Sequence, residues 1–325
     1  RGWTNRLPTW KRLQDPEAEL VKPPPPKVPD ISVVICTYNR AELLGGALKT
    51  LDNQYYPNTH YEIVVVDDGS TDDTVEVIKS LDLRTDLCYV HQENRGRAAA
   101  RNVGVAHAKS DLILFVDDDI LAPPTLIEEH IRWHTRYRKG IVRGPIKIIQ
   151  EYALPDRNNV GFLDYSTAMF CTCNASSSKY SIIQAGGFDE SFREYGFEDN
   201  EMGWRLRLEG YKAHFNNRAV VFHYKPPLRP DQIGEVEQRA EEMARSAMAY
   251  YYKHPHWKVA LATGLNPLVA SWSRIWYSES MYRSCMRQWE SGNGSPQGRA
   301  KLEHKLFKYF YYRALEKEAH KSGKS

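Results

Sequence analysis

The 325-residue sequence has no glycine-rich phosphate loop. Neither GxGxxG nor GxxxxGK[ST] occurs in it, which removes the dinucleotide-binding and P-loop fingerprints. It has no run of 18 apolar residues, so no stretch reads as a membrane-spanning helix. Cysteines number five (Cys36, Cys88, Cys171, Cys173 and Cys285). That sparse, odd set does not read as a disulfide framework. Cys171 and Cys173 form a lone CxC, better taken as strand or loop neighbours than as a metal pair. Charge of one sign is scarce too. A net charge of +3 without a long basic stripe gives no footprint for nucleic acid. No signal peptide is visible, although the chain starts at Arg1 without a Met, so that absence carries little weight. The default expectation is cytoplasmic, peripheral on the inner face of the membrane if part of the chain touches lipid.

What is present is a globular composition, 42% hydrophobic and 26% charged, with room for more than one core. Residues 1–30 form an N-terminal extension with Trp3 and Trp10, ending in a proline run that favours a stiff linker. From Ile31 four short apolar runs appear: Ile31–Cys36, Tyr61–Val66, Leu87–Val90 and Leu112–Val116. Each stands before a helical segment. Near-continuous apolar runs of this length read as parallel strands covered on both faces. The fold class expected is therefore α/β, a mostly parallel doubly wound sheet with helices on both faces. Residues 31–120 would form a nucleotide-binding half, and 121–230 an acceptor half that extends the sheet. Residues 231–325 read as a helical C-terminal region.

In such sheets ligands bind beyond the carboxyl ends of the strands, and the polar clusters fall there. Thr37, Tyr38, Asn39 and Arg40 offer a hydroxyl, an aromatic face and a guanidinium, the groups that hold a base and a phosphate. In Asp67-Asp68-Gly69-Ser70, Gly69 permits a tight turn and Ser70 can cap the next helix, while one of the two aspartates also suits a hydrogen bond from a base N–H or a ribose hydroxyl. Asn94, Arg97 and Arg101 follow the third strand, with the two arginines four apart on one helix face; a plain solvated basic face is the alternative. Asp117, Asp118 and Asp119 end the fourth strand. Carboxylates so placed grip a hard divalent cation, which in turn neutralises a departing diphosphate. A solvated turn that caps the next helix is the bland alternative. Farther on, Glu198 and Asp199 read as the opening of an exposed helix, where acids favour the N-terminus. His223 follows another apolar strand. If it joins the carboxylates as a ligand, Mn²⁺ is favoured over Mg²⁺.

Taken together, Val33-Val-Ile-Cys-Thr-Tyr-Asn-Arg40, Ile63–Asp72, Asn94–Gly104 and Phe115–Asp119 resemble the family-2 glycosyltransferases of GT-A fold, over residues 31–225. The resemblance implies roles. Thr37, Tyr38 and Arg40 would line the nucleotide pocket, and Asp68 would read the base. Arg101 would help hold the donor. Asp117 and Asp118 would contact ribose or metal, and Asp119 would be the firmest metal ligand. Gly186–Glu190 with Gly196–Glu201 is similar to the acceptor-side signature of galactosyl and N-acetylgalactosaminyl transferases and chondroitin-polymerase-like enzymes. There Asp199 would be the general base, with Glu198 on sugar hydroxyls, and a histidine at the place of His223 binds the metal.

The expected activity is inverting, Mn²⁺- or Mg²⁺-dependent transfer of a galactose- or glucose-type sugar from a UDP-sugar to a glycan or lipid-linked acceptor. Two alternatives stand beside it: a nucleotide-sugar-binding protein without turnover, and a nucleotidyltransferase. The latter usually carries a glycine-rich loop, absent at Thr37–Arg40. No nucleic-acid partner is expected. The tail presents Trp272, Trp276, Tyr277, Lys305, Lys308, Tyr311 and Tyr312, a set suited to packing on the catalytic domain, to an oligomer contact or to an anionic lipid surface.

Overall fold

A computed structural model describes residues 28–137, 139–155, 168–292 and 294–321. The extension through Lys27, with Trp3, Trp10 and the proline run, lies outside the described residues. The first half alternates β1 (Ile31–Thr37), α1 (Ala41–Asp52), β2 (Tyr61–Asp67), α2 (Thr74–Ser80), β3 (Asp86–His91), α3 (Arg97–His107) and β4 (Leu112–Asp117). These four strands are parallel, in the order β3-β2-β1-β4.

Both faces of the sheet are covered, which is why the strands read as unbroken apolar runs. Val33, Ile35, Ile63 and Val65 face Leu44, Leu48 and Leu51 of α1. Val34, Val64, Val66 and Phe115 face Ala98 and Ala100 of α3. Full burial of each large aliphatic side chain contributes about 1.5–3 kcal/mol. Helix α3 lies close to the sheet because its inner face is small: a Cβ on Gly104 would stand 2.4 Å from Val34 Cγ1. The register sets Thr37 beside Asp67 and Cys36 beside Asp117. Three strand ends, with their polar clusters, thus finish on one edge.

The second half continues with β5 (Ile120–Leu121), α4 (Leu126–Arg136), β6 (Gly140–Arg143), β7 (Ile146–Ile149), β8 (Asn174–Ser178), α5 (Lys179–Gln184), α6 (Glu198–Leu208), β9 (Lys212–Phe215) and β10 (Val221–Tyr224). Only part of it extends the main sheet. Strand β8 pairs antiparallel with β4, and β6 and β9 follow it outward. β5, β10 and β7 form a separate three-stranded sheet, in which His223 pairs with Ile120. That pairing carries the histidine back to the carboxylates of β4. Asn174, which opens an Asn-x-Ser sequence, is fully buried and donates to the carbonyls of Pro145 and Ala219. In the folded chain it is no acceptor for glycosylation.

Residues beyond 230 form α7 (Ile233–Lys253), α8 (Trp257–Thr263), α9 (Pro267–Trp276), α10 (Glu279–Glu290) and α11 (Pro296–Lys321). They build their own core, in which Val236, Ala240, Leu306 and Phe310 pack with Phe192 and Phe197 from the α/β half. No helix among the described residues is long and apolar enough to cross a membrane. The aromatic set expected on one face of the tail is split. Tyr311 is buried and donates to the Thr263 carbonyl, and Tyr277 stacks on Tyr312. Trp272 and Trp276 stand in solvent.

Candidate active site

Thr37 and Arg40, at the end of β1, grip the acidic triplet that ends β4. Thr37 Oγ1 donates to Asp118 Oδ2 at 2.8 Å. One Arg40 nitrogen bridges Asp118 Oδ1 at 3.1 Å and Asp119 Oδ2 at 2.7 Å. Three acids after an apolar strand are costly without compensation, and Arg40 supplies part of it. Burial pushes the Asp118 carboxyl up to about 6, an effect that Arg40 offsets only in part. Burial works on Asp119 in the same direction, but His223 and Arg40 overcome it and hold that carboxyl below its usual range. His223 Nε2 lies 3.1 Å from Asp119 Oδ1, yet that oxygen is buried and has no properly directed hydrogen bond. The other ring nitrogen of His223 faces Cys173 Sγ at 3.8 Å.

Asn39 and Asp68 act locally as struts. Asn39 adopts the left-handed conformation, φ 53°, and its side chain accepts from the Thr71 N–H while its own N–H donates to Ser70 Oγ. This ties the β1 loop to the β2 loop. Asp68 accepts from Gln92 Nε2 at 2.6 Å and from the N–H groups of Arg95 and Gly96, each at 2.9 Å. It therefore pins the loop that opens α3, a duty that its sequence position does not announce. Gly69 makes this crossing feasible: its φ is +88°, and an added Cβ would stand 2.8 Å from the Asn94 nitrogen. Gly69→Ala is expected to cost about 1–3 kcal/mol through strain and collision, read as a fall in Tm. An unchanged Tm would show that the loop relaxes freely. Tyr38 is 49% exposed, and Asn94 is exposed in the loop before α3.

The two arginines of α3 part company. Arg97 is exposed, lying over the Tyr195 ring. Arg101 is buried and donates to Glu198 Oε1 at 2.7 Å. The second oxygen of Glu198, Oε2, is buried without a partner. Burial would raise the Glu198 carboxyl, but Arg101 and then Arg97 hold it below the usual range. Its neighbour Asp199 goes the other way. Burial first, and then the Glu198 charge, push it up to about 7. Two adjacent carboxylates with their proton affinities driven apart are the arrangement expected of a charge holder beside an acid/base group. Asp117 sits in the same electrostatic field, acting on Arg101, Asp199 and His223.

A strained turn presents this pair. Phe197, the residue before Glu198, has φ 67°, a conformation costly for a bulky side chain. It is held because its ring is buried in the helical core, 5.9 Å from Tyr250. Sequence reasoning missed Phe197, Gln92 and Tyr152, whose hydroxyl donates to the Leu43 carbonyl and whose ring lies against Tyr224. Burial raises the thiols of Cys36, to about 12, and of Cys173, so neither is a ready nucleophile.

Among the described residues, no group of three or more His, Cys, Asp or Glu stands assembled as a metal cage. The orphaned Asp119 oxygen beside His223 nevertheless fits a cation that takes its remaining ligands from a diphosphate and water, the usual habit of small divalent ions.

Residues 32–195 match the family described as Glycosyl transferase family 2. The chain is 34% identical over 221 residues to a validoxylamine A glucosyltransferase of Streptomyces hygroscopicus subsp. jinggangensis (strain 5008), covering 56% of this chain and 52% of that protein. It is 24% identical over 289 residues to a chondroitin synthase of Escherichia coli, covering 75% and 41% respectively. The chain thus spans about half the length of the curated relatives it matches. Among solved structures, its fold is similar to the mannosyltransferase PcManGT from Pyrobaculum calidifontis in complex with GDP-Man and Mn2+ (TM-score 0.58, 20% identity, covering 91% and 87%). It is also similar to S. aureus TarS 1-349 (TM-score 0.51, 17% identity, covering 90% and 92%).

Proposed function

The chain belongs to glycosyl transferase family 2, and on that premise we propose that it moves a sugar from a nucleotide-sugar donor to an acceptor hydroxyl with inversion at the anomeric carbon. The observation that carries this reading is the Glu198–Asp199 pair, with one carboxylate locked on Arg101 and the other poised near neutrality. Asp199 takes the proton of the attacking hydroxyl. Glu198, held ionised, offers its unpartnered oxygen to a sugar hydroxyl. Tyr38 stacks on the base, and Thr37 and Asn39 keep the β1 loop in place around it. Asp68 reads the base with the acceptor capacity left to it. Asn94 and Arg97 contact the donor from the loop before α3 and its first residue, and Arg101 helps hold the donor through the Glu198 carboxylate it pairs with. Arg40 answers the diphosphate charge.

Asp119 and His223, with Asp117 on the same strand end, would hold Mn²⁺ or Mg²⁺. When bound, the cation neutralises the nucleoside diphosphate as it leaves. The donor proposed is a UDP-sugar of glucose or galactose type. The acceptor proposed is a glycan or a lipid-linked saccharide, which would bring the enzyme to the inner membrane face. The name of the Streptomyces relative supports a hexose of this type.

The test is a screen of UDP- and GDP-sugars with Mn²⁺ and saccharide acceptors, reading nucleoside diphosphate release and the anomeric configuration of the product by NMR. Inverted product supports the reading, whereas a retained configuration would remove Asp199 from the base role. The pH profile gives a further check. With Asp199 near 7, kcat/KM should rise about tenfold per pH unit below that value and level off above it. A profile flat from pH 5 to 8 would contradict the assignment.

A further inference from the structure

Helices α8 and α9 leave large apolar side chains in solvent, although Val259 of α8 is buried. On α8, Trp257 and Leu261 are 62% and 53% exposed. On α9, Leu268, Trp272, Ile275 and Trp276 are 80%, 65%, 72% and 60% exposed. These four stand at i, i+4, i+7 and i+8, one helical stripe. The one buried residue of α9 is Ser273, whose hydroxyl donates back to the Ala270 carbonyl. A surface helix of a globular protein presents the reverse pattern, so this stripe is built to meet something apolar.

Charge identifies the occupant. No Asp or Glu occurs from Met243 to Ser278, in a chain that carries 41 of them in 325 residues. The same run holds Arg245, Lys253, Lys258 and Arg274. Three of these are paired with Glu194, Asp189 and Glu316, whereas Lys258 has no carboxylate partner among the described residues and lies over the Trp257 ring. A tryptophan-rich stripe that carries no carboxylate of its own, with Glu316 beside it neutralised by Arg274 and with a lysine that no carboxylate pairs, matches the interface of an anionic bilayer, where indole rings sit at headgroup level.

We propose that the α8–α9 stripe is a peripheral membrane-docking face that inserts Trp272 and Trp276 among the headgroups of anionic lipids. The proposal deepens the reading of a membrane-proximal acceptor given above, but the surface stands on its own residues. It also narrows the lipid contact to α8 and α9, because the aromatic rings of α11 are largely taken up in the core.

The full chain is to be floated with vesicles of phosphatidylcholine alone, or of an equimolar phosphatidylcholine–phosphatidylglycerol mixture, with UDP affinity measured in parallel. Wild type should bind the mixed vesicles, bind phosphatidylcholine at least about tenfold more weakly, and show a blue shift of tryptophan emission. The exposed double variant W272S/W276S should lose at least about tenfold in vesicle affinity, and Lys258→Glu should weaken binding to the mixed vesicles only. Both should keep wild-type UDP affinity and thermal stability. Absence of wild-type binding to either vesicle, or undiminished binding by the double variant, would overturn the proposal. Conversion of a dimer to a monomer by the double variant would overturn it too, by assigning the stripe to a second copy. Unchanged UDP affinity separates failure of this surface from failure of the donor site.

Discussion

Asp199→Asn is expected to lower kcat by about 10³-fold, the middle of the range for losing a general base, while UDP affinity changes by less than about twofold. The substitution keeps the shape of the side chain and removes only its capacity to take a proton. The Asp199 side chain accepts a hydrogen bond from the Asn200 N–H, which an amide oxygen also accepts. A second readout separates lost chemistry from lost structure. In the folded chain burial, and then the Glu198 charge, hold the Asp199 proton up to about pH 7. The unfolded chain releases it near the ordinary value of about 4. The folded state therefore binds more protons across that window, and stability falls as pH rises through it. Above pH 7 the variant, which carries no charge there, should melt at a higher temperature than wild type. Loss of activity together with a higher Tm would mark a group kept for chemistry at the expense of stability. Near-normal transfer by the variant would remove Asp199 from the mechanism.

Asp119→Ala is expected to reduce UDP affinity in the presence of Mn²⁺ by on the order of 10²-fold, the upper end of what even an outer-shell change costs. In EDTA the same variant should bind UDP no worse than wild type. The reason lies in the ion pairs around the carboxylate. Removing Asp119 frees His223 and one side of Arg40, which keeps its contact with Asp118. The variant site is therefore more positive in the absence of a cation, so a diphosphate is not repelled. Equal losses with and without Mn²⁺ would indicate that Asp119 only shapes the pocket.

The strands that carry these groups were legible because burial on both faces leaves a plain mark. Val33, Val34 and Ile35 are all apolar since α1 lies below them and α3 above. The polar clusters were legible for a related reason, as charges directly after such strands need a purpose. What the sequence conceals is partnership across distance. That Arg40 bridges Asp118 and Asp119 depends on β1 and β4 being neighbours with their ends in register. That His223 meets Asp119 depends on the pairing of β5 with β10, and the two-residue strand Ile120–Leu121 has no periodicity to detect. Asp68 reads equally well as a base-reading or a capping residue, and only the fold shows its oxygens engaged by Gln92, Arg95 and Gly96.

Phe197 illustrates a different limit. No local rule places phenylalanine in the left-handed region; it is held there by a core made of residues beyond 230. This makes the C-terminal helices a buttress for the turn that presents Glu198 and Asp199. The α9 stripe fails in the opposite sense. Its helical period is plain in the sequence, but which side faces inward was not, because apolar residues ordinarily turn to the core.

The most direct test of a cation-dependent nucleotide-sugar site at the ends of β1, β2 and β4 is calorimetric titration of UDP and GDP into the wild-type chain, with Mn²⁺ and then with EDTA. Tight UDP binding in Mn²⁺ that weakens at least about tenfold in EDTA, with GDP clearly weaker, is the result predicted. UDP binding indifferent to Mn²⁺, or no binding of UDP under either condition, would contradict it.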